Sequence, residues 1–406
     1  MIIAKVPLRR IWAAYLAPYQ GLPTLAWQIS LGVFVNRIGS SVIYFLALYL
    51  NQYLGNNAIE SGWVLSMWGL GSVIGSFLGG WLCDHVGPRR VLIWGHIVSG
   101  CLYLSLLLTK DYLAITCLAF AIGIADYSLR PTIAVAMIGA TDSETRARSN
   151  ALRRIALNSG IGIGAALGGL LFSIDATYLF WLDGLTSLAG ALFFWRILPP
   201  SNDRTDINKS LGPISQLRPW HDRIFVMILL ADTIVSFVTS QQRNAYPLYL
   251  TSHYHLDAGY FGLLLSVNSF IVVFFELPLV HHLRKYHFAW LCVVGTFCYG
   301  LGFGLLPMGS STFWVWFCWM TFTLGEMLTS PASMAMVQDR ASRSASPGSY
   351  MGLFTASYSV MGFIGPGIGG VLYEKTSGDY LWGLCLLAGI ASSFLFYRIA
   401  LRHARS

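Results

Sequence analysis

Charge is scarce in this chain. Of its 406 residues only 11% are Asp, Glu, Lys or Arg, whereas about a quarter is usual in soluble domains. Hydrophobic residues make up 55% of the sequence and occur in runs of about 20, each long enough to cross the ~30 Å hydrocarbon core of a bilayer. The scarcity of charge and the long apolar runs exclude a soluble globular protein and indicate an integral membrane protein.

Several chemical signatures are also missing. The seven cysteines form no CxxC pair, which argues against a disulfide framework and a zinc site. The chain has no GxxxxGK loop, so it cannot drive transport with ATP by itself. His281, His282 and His287 have no acid or cysteine partner nearby in the sequence and are interpreted as a basic loop. We therefore expect no catalytic residues, no metal and no cofactor.

The formal net charge of +8 does not indicate nucleic-acid binding, because Lys and Arg fall in short clusters between apolar runs and form no stripe. The runs between these clusters predict twelve transmembrane helices, numbered here as spans 1 to 12. Their predicted bounds are 25–50, 58–82, 89–108, 112–140, 149–173, 177–198, 223–250, 258–280, 288–307, 312–337, 348–374 and 379–398.

The cations mark one side of the membrane. Only Lys110 and Lys375 lie in predicted outside loops, and Arg37, Arg130 and Arg243 lie within spans, while all other Lys and Arg lie at the inside. Under the positive-inside rule both termini are cytoplasmic. No apolar core with a small-residue cleavage site precedes span 1, so we expect a multi-pass protein of the bacterial inner membrane without a cleaved signal peptide.

The two halves of the sequence repeat at an offset of about 200 residues, with Pro131 matching Pro331 and Asp126 matching Glu326. We therefore predict an all-α integral membrane protein of twelve transmembrane helices in two pseudo-symmetric six-helix bundles. The predicted units are an N-terminal bundle, a central cytoplasmic linker and a C-terminal bundle, at residues 1–198, 199–222 and 223–406.

The loop between spans 2 and 3 carries a motif formed by Gly80, Asp84, Gly87, Arg89 and Arg90. Glycines permit a tight turn, and arginines anchor a loop to the inner membrane interface. The motif resembles the signature loop of the major facilitator superfamily, and the resemblance implies that it latches the two halves in one conformation. His85 and Pro88 replace basic residues of the family pattern, which puts this latch role in question.

Span 11 contains a second motif, which consists of Gly365, Pro366, Gly369 and Gly370. It resembles the glycine–proline element in the fifth helix of drug:proton antiporters, although span 5 here lacks the proline. Asn36 and Arg37 in span 1 resemble the first helix of many such antiporters. The resemblance covers the whole chain in length, topology and repeat, and it implies a major facilitator transporter of the drug:proton antiporter-like branch.

Six ionisable residues lie deep in predicted spans, where each costs at least about 2.5 kcal/mol to insert. They lie in spans 1, 4, 7 and 10, which line the central cavity in the superfamily, so we expect them to form the proton and substrate cavity. Three acids and three bases predict a cavity without net formal charge, and structural ion pairs are the alternative. The six are Arg37, Asp126, Arg130, Asp232, Arg243 and Glu326.

The two equivalent acids have different neighbours. Asp126 has Arg130 one helical turn away, which predicts an ion pair that shapes the site. Glu326 has Ser330 at the matching place and no cation in its own helix, so it is the predicted proton carrier. Asp183 in span 6 and Glu276 near the inner end of span 8 are predicted to be peripheral.

These features predict a monomeric, proton-coupled secondary transporter in the lipid bilayer that exports a small drug-like or metabolite solute. The alternative is an importer or facilitator of the same fold. An integral-membrane enzyme would need a nucleophile–base pair or metal ligands near one membrane face, and a sensor would need a soluble signalling domain. The sequence does not identify the substrate.

Overall fold

The chain folds into helices in the predicted order. A computed structural model describes residues 20–142, 145–199, 219–283, 286–342, 347–376 and 378–403, and it contains no strand within them. The spans comprise Thr24–Ile38 with Val42–Leu54, Ala58–Val86, Pro88–Ser105, Tyr112–Gly139, Arg146–Ile174, Thr177–Ile197, Arg223–Ser240 with Ala245–Ser252, Ala258–Leu283, Phe288–Gly304, Thr312–Ser342, Pro347–Thr376 and Asp379–His403.

The length and apolar character of these helices fit a membrane. In the described part of the chain, nine helical segments are long and apolar enough to cross a bilayer. The other three spans are the shorter apolar helix Phe288–Gly304 and the long helices of spans 10 and 11. Large apolar side chains cover the outer surface, for example Phe77 and Phe313, which are 73% and 79% exposed. Such a surface is stable against lipid tails and costly in water.

The two bundles are built alike. Span 2 begins at Ala58 and span 8 at Ala258, and short 3-10 turns follow spans 3 and 9 at Leu106–Leu108 and Leu306–Met308. Matching bounds at this offset support the duplication predicted from the sequence. The predicted fold class, twelve transmembrane helices in two pseudo-symmetric bundles, is confirmed.

Spans 1 and 7 differ from the prediction because each is broken. The sequence predicts continuous helices over residues 25–50 and 223–250, but span 1 is interrupted between Ile38 and Val42, and span 7 changes to a 3-10 turn at Gln241–Arg243. Asn244 follows that turn with φ −123° and ψ −78°, outside the helical region. The hydropathy of both segments is unbroken, so it carries no signal of these interruptions.

The two bundles meet mainly along two pairs of helices, and the second segments of spans 1 and 7 also touch each other. Span 2 packs against span 11, and span 5 packs against span 8. Within the first bundle span 2 packs on span 4, span 3 on span 6 and span 1 on span 5, and within the second bundle span 9 packs on spans 10 and 12. The two inter-bundle contacts are therefore the surfaces along which the bundles can move relative to each other.

The start of the second bundle is fixed by one carboxylate. Most of the predicted linker lies outside the described residues, which resume at Pro219. The Oδ1 atom of Asp222 accepts hydrogen bonds from the backbone N–H groups of Ile224 and Phe225, and Arg340 at the end of span 10 donates to both carboxylate oxygens at 2.8 and 2.9 Å. Burial raises the pKa of Asp222, but the bonds from Arg340 and Phe225 outweigh burial and hold the pKa below its usual range.

Replacing Asp222 with Ala removes the helix cap and the partner of Arg340, so we expect the free energy of unfolding at neutral pH to fall by at least about 1 kcal/mol. Because the native pKa lies below the ordinary value of 3.8, this contribution is fully present above pH 3.8. It is lost as the pH falls through the native pKa. Thermal unfolding in detergent between pH 3 and pH 7 measures the effect.

The control for this prediction is Asp379→Ala, which removes an exposed carboxylate at the start of span 12. Two outcomes would contradict the assigned role. One is an equal loss of stability in both variants, and the other is a difference in the free energy of unfolding between wild type and Asp222→Ala that does not become smaller in acid.

Candidate functional site

The arginines predicted for the cavity project from the middle of the first bundle and from the break in span 7. Arg130 is exposed, and its guanidinium lies 3.8 Å from the ring centroid of Tyr127. Arg37, in the last turn of the first segment of span 1, donates to Ser40 Oγ at 3.4 Å. Arg243 lies in the 3-10 turn of span 7, with its guanidinium 5.6 Å from the ring centroid of Trp68. Aromatic rings therefore hold two of the three guanidinium groups.

Asp126 does not form the predicted ion pair with Arg130. Its carboxylate points to span 3, where it accepts hydrogen bonds from Ser99 Oγ at 2.5 Å and Tyr103 Oη at 2.7 Å. Two hydroxyl donors satisfy the carboxylate on one side of span 4, while the Tyr127 ring holds the guanidinium on another. The interpretation of Asp126 and Arg130 as a cavity ion pair was wrong.

Asp183, which was predicted to be peripheral, is fully buried and supports the break in span 1. Its two oxygens accept the backbone N–H groups of Ser41 and Val42 at 3.0 and 2.9 Å. These N–H groups start the second segment of span 1 and would otherwise lack a partner in a bilayer. A carboxylate at a helix N-terminus also interacts favourably with the helix dipole. Asp183 is thus a cap for half of span 1.

The acids of the second bundle have few donors. Asp232 is fully buried, with Oδ1 3.4 Å from Tyr358 Oη and no hydrogen-bond partner for Oδ2. Glu326 accepts one hydrogen bond from Asn268 Nδ2 at 3.0 Å. Neither carboxylate forms an ion pair with a described cation, so both can exchange a proton without first breaking a salt bridge.

Glu276 joins the two bundles. It is 4% exposed and forms an ion pair with Arg154 of span 5. The two side chains line a cavity of about 340 Å³ between spans 5 and 8, which Arg153 also lines. Glu276 lies within electrostatic range of Glu326, and Glu326 lies within range of Arg154. An acid of span 10 is therefore coupled to an ion pair between the bundles.

The glycine–proline element of span 11 seals one end of the molecule, called the closed end here. The carbonyl oxygens of Gly365 and Pro366 accept hydrogen bonds from Gln241 Nε2 at 3.2 Å and Asn244 Nδ2 at 3.0 Å. Gly370 packs directly on the Ala58 carbonyl of span 2. The motif thus holds the break of span 7 and brings the backbones of spans 2 and 11 together.

Glycines of spans 2 and 5 complete the closed end. Gly62 faces the Pro366 carbonyl, where an added Cβ would lie 2.5 Å from the oxygen, and Ser66 Oγ accepts the backbone N–H of Gly367 at 3.0 Å. Gly169 of span 5 packs against the backbone of Gly259 in span 8. Because backbones approach only where side chains are absent, these residues form two glycine-lined seams between the bundles.

The loop between spans 2 and 3 lies at the opposite end, which is called the open end because the close backbone contacts of Gly62 and Gly370 between spans 2 and 11 lie at the other end. Asp84 is exposed and forms no hydrogen bond or ion pair within the described ranges. Gly87 has φ +84°, a conformation that favours glycine, and Pro88 begins span 3. Arg89 donates to the Trp195 carbonyl of span 6 at 3.0 Å. The loop is anchored in its own bundle, and Asp84 does not hold the other bundle in this conformation.

Sequence analysis missed Arg153. It lies beside Arg154 near an end of span 5, where a basic pair is the ordinary mark of the inner membrane face. In the structure the two side chains diverge: Arg154 binds Glu276, whereas Arg153 has no hydrogen-bond partner for Nε. The only available signal was that neighbouring residues on a helix point in directions about 100° apart.

Comparison with known proteins identifies the family. The Major Facilitator Superfamily pattern matches residues 29–366 and 245–405, which together span most of the chain. The chain belongs to this superfamily, and it is a membrane transporter and not an enzyme.

Three known proteins illustrate what this chain is similar to. The uncharacterized MFS-type transporter YqjV of Bacillus subtilis is 23% identical over 389 residues, 92% of each protein. A Na(+), Li(+), K(+)/H(+) antiporter of Planococcus maritimus is 23% identical over 380 residues, 84% of this chain and 88% of the antiporter. The peptide transporter POT, solved in complex with sulfate, superposes with a TM-score of 0.79 and 15% identity over 95% of this chain and 96% of its own. That structural likeness confirms the fold alone.

The closed-end seam predicts the effect of added side chains. In Gly370→Val the new side chain meets the Ala58 carbonyl and the Asn244 amide, so we expect spans 2 and 11 to separate at the closed end. Hydrogen exchange followed by mass spectrometry should then show faster exchange at the start of span 2 than in the wild type. The matched control is Gly352→Val in the same helix, because a Cβ at Gly352 meets nothing within 4 Å. Equal exchange in the two variants would contradict the seam.

Proposed function

We propose that this chain is a proton-coupled secondary transporter that exports a small drug-like or metabolite solute and acts as a monomer. The observation that carries the proposal is the environment of Glu326, a carboxylate in span 10 that has an amide donor and no ion-pair partner among the described residues. A proton carrier must gain and lose its proton during the cycle, and a carboxylate committed to a cation does so only with difficulty.

The arrangement around Glu326 supplies a means of coupling protonation to movement. When ionised, Glu326 repels Glu276 and attracts Arg154. When Glu326 is protonated both effects vanish, so Arg154 interacts with Glu276 alone and the ion pair between spans 5 and 8 becomes stronger. Because these spans belong to different bundles, the proton changes the free energy of contact between the two halves.

The orientation of the chain is part of the proposal. Lys110 and Lys375, which are the cations of the predicted outside loops, belong to the closed end, whereas Arg89 and Arg90 belong to the open end. Under the positive-inside rule the open end faces the cytoplasm of a bacterial cell, with both termini on that side. The described conformation then has its outer end sealed by the glycine-lined seams and its latch loop released.

The loop with Gly80, Asp84, Gly87, Arg89 and Arg90 is proposed to act in the opposite conformation. Asp84 is exposed here, so it is free to approach span 11 when the open end closes and the seams separate. Arg89 keeps the loop attached to span 6 during that movement. His85, which departs from the family pattern, forms a hydrogen bond to the Trp81 carbonyl and packs against the Trp81 ring. Its contacts are therefore with its own helix.

Transport into proteoliposomes tests the role of Glu326. With a solute chosen by thermal-shift screening, wild-type protein should move that solute uphill when a pH gradient is imposed. Glu326→Gln should abolish the response to the gradient while solute binding survives. The matched control is Asp126→Asn, which changes the equivalent acid of the repeat, already bound by two hydroxyl groups. Asp126→Asn should reduce folding or binding but leave the gradient response of the remaining folded protein.

A Glu326→Gln protein that still performs uphill transport from the pH gradient would exclude Glu326 as the proton carrier. Asp232, with one unpartnered oxygen in a fully buried position, would then be the next candidate.

Import is the second candidate function, and reversing the pH gradient separates it from export. An exporter that exchanges solute for protons accumulates solute in the acidic compartment, whereas a proton symporter accumulates it in the alkaline one.

A further inference from the structure

Four arginines converge in the first bundle and at the break of span 7. They come from spans 1, 4, 5 and 7, and each lies in a different helix or turn. The guanidinium of Arg130 lies within electrostatic range of Arg37 and Arg243, and that of Arg153 lies within range of Arg37 and Arg130. Like charges near each other repel, so the cluster is unfavourable unless something compensates it.

The nearby carboxylates provide only part of that compensation, because neither pairs directly with an arginine. Asp126 is bound by Ser99 and Tyr103, and Asp183 lies within electrostatic range of Arg37 but is bound to two backbone N–H groups of span 1. No ion pair joins any of the four arginines to a carboxylate in the described part of the chain. The cluster therefore contains four guanidinium groups and two nearby carboxylates, and neither carboxylate forms an ion pair with a guanidinium group.

Aromatic rings hold the guanidinium groups without neutralising them. The ring of Trp68 lies 5.4 Å from the ring of Tyr127 and 5.6 Å from the guanidinium of Arg243. The guanidinium of Arg130 lies over the other ring, that of Tyr127. Cation–π contact stabilises an arginine but leaves its N–H groups free for an acceptor in the plane of the fork. The buried Nε atoms of Arg153 and Arg243 have no hydrogen-bond partner.

From this geometry we propose that the transported solute carries an anionic group, a carboxylate or a phosphate, that binds to the cluster of Arg37, Arg130, Arg153 and Arg243. The planar guanidinium fork matches the two oxygens of such a group and forms charge-assisted hydrogen bonds with them. The ring of Tyr127 lies beside the cluster and is only partly buried, which suits a solute with an apolar part. The inference rests on the proposed transport function and specifies its substrate class.

Four probes that share one ring but differ in charge test this proposal: benzoate, phenyl phosphate, benzamide and benzylamine. Each is added to purified full-length protein in detergent, and the thermal unfolding temperature is recorded against probe concentration, because a ligand of the folded state stabilises it by mass action. We expect at least one anion to stabilise the protein, with an affinity tighter by on the order of tenfold or more than that of benzamide or benzylamine. Comparison of the two anions separates carboxylate from phosphate recognition.

Variants locate the binding. Arg130→Gln should remove most of the anion-dependent stabilisation, and Arg130→Lys should restore part of it because the charge returns without the fork. The matched control is Arg398→Gln in span 12, where an exposed arginine lies 5.8 Å from the ring of Phe394, away from the cluster. This variant should keep the full anion response. Variants are compared only after size-exclusion chromatography shows a folded protein.

The comparison of probes on wild-type protein decides the proposal even where a variant fails to fold. The proposal is overturned if both anions fail to stabilise the wild type, or if benzamide or benzylamine stabilises it equally. It is also overturned if Arg130→Gln retains the full response to the anions. The outcome is separate from that of proton coupling: an anion whose transport ignores a pH gradient would support this inference and contradict the role of Glu326.

Discussion

A bilayer interior offers no water to an unpaired backbone group, so a helix can break there only where another part of the protein supplies the missing hydrogen bonds. Span 1 meets this constraint with a carboxylate from span 6, and span 7 meets it by continuing as a 3-10 turn whose own side chains bind span 11. Asp183 of span 6 accepts the free N–H groups of span 1, while Gln241 and Asn244 at the break of span 7 donate to carbonyls of span 11. Most other features of the molecule follow from these two breaks.

The breaks position the charges and the seal together. Arg37 lies in the last turn of the first segment of span 1 and Arg243 in the turn of span 7, so both cations lie at the breaks. The same turn of span 7 rests on Gly365 and Pro366, which belong to the helix that closes against span 2. A change of conformation at the closed end must therefore alter the surroundings of Arg243, which links the seal to the arginine cluster.

The glycine-lined seam between spans 5 and 8 and the Arg154–Glu276 ion pair lie at different places along the same two helices. Spans 5 and 8 touch through Gly169 and Gly259 near one end and through the ion pair nearer the other. The seam gains dispersion energy from close packing and is indifferent to pH, whereas the ion pair depends on the charge of Glu276 and its neighbour Glu326. Under the proposed proton coupling, protonation changes the ion pair and leaves the seam, so the two ends of the molecule can respond differently.

The number and order of the spans and the duplication were predictable because long apolar runs and their repeat reflect the bilayer directly, whereas the breaks in spans 1 and 7 leave no mark in hydropathy. The bounds of span 2 and span 8 and the prolines at 131 and 331 follow the predicted offset. The direction of Asp126 was not predictable, because two hydroxyl groups of span 3 compete with the arginine one turn away. Arg153 was missed because a basic pair near a span end has an ordinary explanation. The direction of Asp126 and the position of Arg153 depend on helix rotation and on contacts distant in sequence. Hydrophobic periodicity carries no information about either.

The most direct test of alternating closure is a pair of distances measured between spin labels in a cysteine-free protein. One pair, Gln52 and Lys375, crosses the closed end, and the other, Ile138 and Gln338, crosses the open end; all four residues are exposed. We expect a change of pH to move the two distances in opposite directions, and Glu326→Gln to remove this response while both conformations remain accessible. Distances that change together, or that do not respond to pH in the wild type, would contradict this expectation.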